Sequence, residues 1–254
     1  MDALAALRLQ IEWGADEALA DAPVDRLGSK PPERPPSPEP PSATPAPATR
    51  VTPRDRARTA AANAETLDAL KHAIAAFDDC VLRDTAANTV LPEGSPGPLL
   101  VIGEAPSADD DRAGRPFAGP AGAYLDKLLA SIGLQRDALL IAPLVPWRPP
   151  GDRPPSPTEL AVCQPFLMRL INLSRPKLLL VLGSLASRTL IGSAISGRVR
   201  RGTWVDLPVP ELGTVRTLPT HSVAALLGQP GLRRDAWADL RAVRRALDAQ
   251  LAAK

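Results

Sequence analysis

Apolar residues along this chain fall into two recurring patterns. The first is the short continuous run bounded by turn residues. Leu99 to Ile102 is one, residues 138–145 (ALLIAPLV, broken by Pro143) a second, and residues 177–182 (KLLLVL) a third. Runs of this length without alternation fit strands buried on both faces, as in parallel sheets. The second pattern is helical spacing. Leu125, Leu128, Leu129 and Ile132 form a stripe that Gly133 ends, and residues 158–173 form another, opened by Pro157-Thr158. An Ala-rich segment from Arg54 to about Phe77 carries Leu67, Leu70, Ile74 and Phe77, which predicts one helix. A further helix opens at Gly183-Ser184 and runs through Ile191. Residues 203–218 suggest short strands, and residues 232–252 a closing helix rich in Arg. Strand and helix alternate from residue 98 onward. That order predicts an α/β fold, a three-layer α/β/α sandwich around a central, mostly parallel sheet.

The first fifty residues read differently. Leu4, Leu7, Leu9, Ile11 and Leu19 among charges predict an amphipathic helix over 1–21. Residues 22–53 hold much of the chain's 30 prolines, nearly every second residue between Pro31 and Pro47. Such a segment cannot bury a core and is read as an extended, disordered linker. The folded domain is then expected over 54–254. The net charge of +2 is compatible with a nucleic-acid partner without requiring one. Cys80 and Cys163 are the only cysteines, lie far apart and form no CxxC. No basic n-region precedes an apolar stretch at the N-terminus, and no run approaches the ~20 apolar residues of a membrane span. The expectation is a cytoplasmic protein with reduced thiols and no membrane contact.

Chemistry is expected where the strands end, because open α/β sheets bind ligands beyond the carboxyl ends of their strands. The first strand empties through Gly103, Glu104, Ala105 and Pro106 into three aspartates, Asp109 to Asp111, read as a loop, and then Pro116-Phe117. An acidic surface loop is the plain alternative, but Phe117 sets an aromatic in an otherwise polar stretch. The other strand ends bring Gly183-Ser184 and Thr220-His221, and the segment 197–202 (GRVRRG) adds Arg198, Arg200 and Arg201. Carboxylates with a histidine suit acid–base or leaving-group chemistry, a phenyl ring can stack a planar ligand, and arginines can hold phosphates. The Walker A lysine, the GxGxxG turn and the GxSxG elbow are absent from the sequence.

Four ordered segments, GEAPSADDDRAGRPFAGPAG, WRPPGDRPPSPTE, RPKLLLVLGSLA and LPTHSVAALL, resemble the family 4 uracil-DNA glycosylases. The resemblance spans about Phe77 to Leu247. It implies a uracil-DNA glycosylase-like fold and an enzyme that cuts the N-glycosidic bond of uracil or another deaminated base after flipping it from DNA. It implies Glu104, Asp110 and His221 as catalytic residues, His221 facing the base oxygen that gains charge. Ala105, Pro106 and Phe117 would bind the base, Phe117 by stacking. Gly183, Ser184, Arg198, Arg200 and Arg201 would contact DNA, and Leu226 and Leu227 would wedge into the duplex. The implied partner is DNA containing uracil or a deaminated base, met by a monomer.

The chain departs from the family at several positions. The family holds a four-iron, four-sulfur cluster on four cysteines. Here those positions carry Phe77, Cys80, Trp147 and Cys163. Two thiolates do not complete a site that takes four, so no cluster and no other metal is expected. Pro143 stands where the family has a pocket asparagine, Ser222 follows His221 in place of proline, and Gly228 replaces an arginine. The alternative function is a catalytically impaired glycosylase-fold protein that binds DNA.

Overall fold

A computed structural model describes residues 51–192 and 200–252. The predicted N-terminal helix, residues 22–50 of the predicted linker and Arg198 lie outside the described residues. Six strands make one sheet: β1 (Glu93–Gly94), β2 (Leu99–Ile102), β3 (Leu140–Ala142), β4 (Leu178–Leu182), β5 (Val205–Val209) and β6 (Gly213–Thr220), in the spatial order β1-β3-β2-β4-β6-β5. The four central strands are parallel, and β1 and β5 pair antiparallel at the edges.

Alternation along the strands builds a core on each face. Leu100, Ile102, Leu179 and Val181 point to one side. They meet α1 (Pro53–Asn63), α2 (Leu67–Ala76), α5 (Pro157–Ser174) and α6 (Ser184–Leu190). Leu99, Val101, Leu178 and Leu180 point to the other. They meet α4 (Gly119–Ser131) and α8 (Arg233–Ala252). The remaining helices are the short α3 (Ala108–Ala113) and α7 (Val223–Gly228). The sheet is sandwiched between helices, as the alternation of elements implies.

Local chemistry moves three boundaries. The single helix expected over 54–77 is two, because Thr66 caps a new start by accepting a hydrogen bond from the Ala69 amide. Thr52 caps α1 at Pro53, so the end of the predicted linker belongs to the helix. The three aspartates expected in a loop lie in α3. Ser107 and Asp110 form a capping box there, each side chain accepting from the other's backbone amide.

A second box opens α5, where Ser156 and Glu159 exchange the same bonds. Arg153 grips Glu159 with two hydrogen bonds of 2.8 and 2.6 Å, while the carboxylate is only 5% exposed. The Arg153 bonds hold the Glu159 carboxyl down to about 2, helped by the bonds from Ser156. A depressed folded value stabilises the fold above the ordinary carboxyl value of 4.5, and that stability is lost as pH falls toward about 2. Glu159→Gln should therefore lower the melting temperature near neutrality, and the gap to the parent should close as acid is added. A gap that stays constant from about pH 6 to about pH 2.5 in thermal melts would contradict this linkage.

Candidate active site

The parallel register places the strand ends side by side. Leu182 pairs with Thr220, so Gly183 emerges next to His221, and the Gly183 amide donates to the Thr220 carbonyl at 2.9 Å. On the other side, β2 pairs Ile102 with Val181 and with Ala142 of β3. Gly103 and Pro143 therefore leave the sheet at the same level. The Glu104 carbonyl accepts from the Leu144 amide at 3.1 Å and ties the two exits together.

Two cavities open over these ends. The smaller, of about 110 Å³, is walled by Ala105, Pro106, Phe117, Pro143, Leu182 and Val223. Phe117 covers Gly103 so closely that a Cβ at that glycine would stand 2.5 Å from the ring. Only glycine lets the ring lie on the strand end. The larger cavity, of about 550 Å³, is walled by Ser184, Ser187, Arg188, Arg201, His221 and neighbours. Glu104 and Ser222 border both. The structure thus brings Glu104, Ala105, Pro106, Phe117, Gly183, Ser184, Arg201 and His221 to one end of the sheet.

The polar groups differ in what they already hold. Glu104 Oε1 accepts from the Leu185 amide at 2.9 Å, anchoring the carboxylate to the first turn of α6. Asp110 is buried, and both of its oxygens are taken by backbone: Oδ2 by the Ser107 amide at 2.8 Å, Oδ1 by the Ala118 amide at 2.6 Å. His221 is the opposite case. Its Nε2 is buried and has no hydrogen-bond partner among the described residues. A buried ring nitrogen without a partner is costly unless a ligand supplies one. The ring stands at the cavity wall, where a ligand can do so.

Arg201 is tied into the fold. It bridges Asp235 at 3.2 Å and Asp239 at 2.7 Å on α8. Asp239 is 4% exposed and also accepts from the Thr220 hydroxyl at 2.6 Å. Arg201 therefore braces the strand end that carries His221. Arg200 is exposed and has no carboxylate partner among the described residues. The two leucines assigned to a wedge separate. Leu226 is 2% exposed, because α7 turns it inward on the same side as Val223, so it belongs to the core; Leu227 is 40% exposed. Sequence reasoning missed Arg188, one turn after Ser184 on α6, and Ser222, which caps α7. It also missed the role of Asp110 in a capping box, although Ser-x-x-Asp carries that signal.

The four positions implied for a cluster do not fit one. Trp147 is fully buried and donates from Nε1 to the Thr89 hydroxyl at 3.1 Å. The Phe77 ring stacks on it with centroids 6.5 Å apart and meets Phe166 edge-on at 5.1 Å. Cys80 and Cys163 are free and buried. A hydrogen bond from the Cys163 thiol holds Cys80 down to about 7, and the same bond with burial raises Cys163. Two thiols face aromatic rings where a cluster takes four thiolates. No group of three or more His, Cys, Asp or Glu side chains placed to hold a metal occurs among the described residues.

Comparison with known proteins shows what the chain is similar to. The family model described as "Uracil DNA glycosylase superfamily" matches residues 92–241. A "Type-4 uracil-DNA glycosylase" of Sulfurisphaera tokodaii is 32% identical over 186 residues, covering 71% of this chain and 84% of that protein. One of Pyrobaculum aerophilum is 31% identical, covering 68% and 91%. One of Thermotoga maritima is 35% identical over 150 residues, covering 58% and 76%.

The bracing by Arg201 is open to a direct check. Arg201→Ala leaves buried Asp239 short of a donor and should cost about 1–3 kcal/mol. In thermal melts that is a loss of roughly 2–4 °C per kcal/mol for a domain of this size. Arg200→Ala should stay within about 0.5 kcal/mol of the parent. Equal effects of the two substitutions would contradict the assignment.

Proposed function

The chain belongs to the uracil-DNA glycosylase superfamily, and we propose that it hydrolyses the N-glycosidic bond of uracil, or of another deaminated base, in DNA as a repair enzyme. The observation that carries this reading is the unpartnered, buried Nε2 of His221 at the cavity that shares Glu104 and Ser222 with the Phe117 pocket. A nucleotide flipped from DNA enters where the two cavities meet at Glu104 and Ser222, its base against the Phe117 wall and within reach of His221, at a cost of a few kcal/mol, least for a mispaired base. Phe117 stacks on the base. As the bond breaks, negative charge builds on a base oxygen, and His221 donates to it from a position fixed beforehand. Such a donor acts mainly in the transition state. Glu104 stands between the two cavities, where its charge can stabilise the positive sugar. Arg188 and Arg200, with the main chain of Gly183 and Ser184, meet the phosphates. The named activity of the relatives favours the enzyme over the catalytically impaired alternative.

His221→Ala should slow single-turnover release of uracil by a factor of about a hundred or more, the loss expected for one oxyanion donor. Affinity for uracil-containing DNA and the melting temperature should change little. Full activity in the variant would remove His221 from the chemistry and with it this reading of the site.

The proposal dispenses with an iron–sulfur cluster. Rings of Phe77, Trp147 and Phe166 supply the packing that would otherwise surround one. It also places the protein as a monomer in the cytoplasm, which suits two free thiols. No helix among the described residues is long and apolar enough to cross a membrane. Protein purified without oxygen should carry no iron by elemental analysis and show no visible absorption band. About four irons per chain, as a four-iron cluster demands, would overturn it.

A further inference from the structure

Phe117 has a left-handed backbone, with φ of 52°. That region is uncommon for a residue other than glycine, asparagine or aspartate, and a bulky side chain there is a genuine outlier. Strain of this kind persists only where surrounding contacts over-determine it, and it gathers at functional sites. The contacts are present on both sides of Phe117. The Pro116 carbonyl, just before it, accepts a hydrogen bond from Arg136 Nη2. The Ala118 amide, just after it, donates to Asp110 Oδ1 at 2.6 Å. A cation thus holds one flanking peptide and an anion the other.

Each clamp is itself anchored. Arg136 follows α4 in the short turn before β3, and its side chain is 17% exposed. It reaches Glu93 of β1 at 3.0 Å and Asp126 of α4 at 3.3 Å. Asp110 is fixed by the Ser107 box at the start of α3. The Phe117 carbonyl approaches α4 at Gly122, where a Cβ would stand 1.7 Å from the oxygen. Arg136 lies outside both cavities; Asp110 borders the smaller one, and each of its oxygens already accepts one backbone amide, the Ser107 amide on Oδ2 and the Ala118 amide on Oδ1.

We propose that Arg136 and Asp110 are a pair of positioning residues that hold the strained Phe117 backbone, and so keep its ring over Gly103 as the stacking wall of the base pocket. This rests on the reading of Phe117 as the base-stacking residue. It assigns Asp110 a task different from a direct part in bond breaking. The pair acts by removing the freedom of the 116–118 segment before the base arrives, so that capture need not order the ring.

A double-mutant cycle with Phe117→Ala tests it, using uracil-containing oligonucleotide and the full chain. Arg136→Met should raise KM for single-site DNA roughly tenfold or more, since small misplacements of binding groups carry large kinetic effects. Arg136→Lys, which keeps one donor, should recover part of the loss. In the Phe117→Ala background the Arg136→Met and Asp110→Asn effects should largely vanish, because the ring they position is gone. Amide exchange gives a readout apart from activity: Arg136→Met should speed exchange at Ala118 and leave the β2 amides unchanged.

Effects that persist undiminished in the Phe117→Ala background would overturn the proposal; for Asp110 they would mark direct participation in the chemistry. Faster exchange throughout β2, with a matching fall in melting temperature, would mark Arg136 as a general fold residue and overturn it too. If Phe117→Ala alone leaves capture and release unchanged while His221→Ala does not, the stacking role fails and the proposal with it, yet the glycosylase reading stands.

Discussion

The burial of β2 and β4 is the constraint from which the rest follows. Every residue of β2 is fully buried, and β4 is nearly so. A strand covered on both faces has no surface on which to present a ligand group. All polar chemistry must wait until the chain clears the sheet, at Gly103 and at Gly183. Parallel register brings those exits to one edge, with Thr220-His221 beside them. The site is therefore a consequence of strand direction, and the helices on either face serve to keep the strands dry.

This is also why the fold was legible in the sequence. Continuous runs such as 99–102 and 178–182 can satisfy themselves in few other ways, and the alternation of strand and helix through the middle of the chain points to a mostly parallel sheet between helices. Site residues at strand ends could be placed for the same reason. What escaped were features decided by single side chains meeting across the fold. Thr66 splits one predicted helix into two. Ser107 turns an acidic loop into α3. Arg136 reaches the Pro116 carbonyl over a separation of 20 residues, which no local pattern reveals. Leu226 and Leu227 are chemically alike, and only the pitch of α7 decides which of them is buried.

The aromatic group at Phe77, Trp147 and Phe166 shows how packing joins segments distant in sequence. Trp147 is among the largest fully buried side chains, and its one polar atom is satisfied by Thr89. Edge-to-face and offset ring pairs add about 0.5–1.5 kcal/mol beyond burial. The rings join α5 to the segments that follow α2 and β3, regions distant in sequence. Cys80 and Cys163 lie beside them as small buried free thiols linked by a hydrogen bond.

The charged residues near the site divide according to what they already bind. Asp110 and Arg201 are engaged by the protein: one by backbone amides, the other by two carboxylates of α8. Their free energy goes into fixing the segments that carry Phe117 and His221. His221 Nε2 alone is buried and unmatched beside the cavity among the described residues. On the proposed reading, a donor left unsatisfied there meets the charge that appears only as the glycosidic bond breaks. Pro143 sharpens the same contrast. It offers no side-chain hydrogen bond to the pocket, whose other walls are the ring of Phe117, Ser107, Ser222 and the Glu104 segment. Stacking on an aromatic ring is tolerant of base identity. On the proposed reading, capture of a base depends on how firmly the Phe117 wall is held, and the clamp around Phe117 then serves capture rather than discrimination.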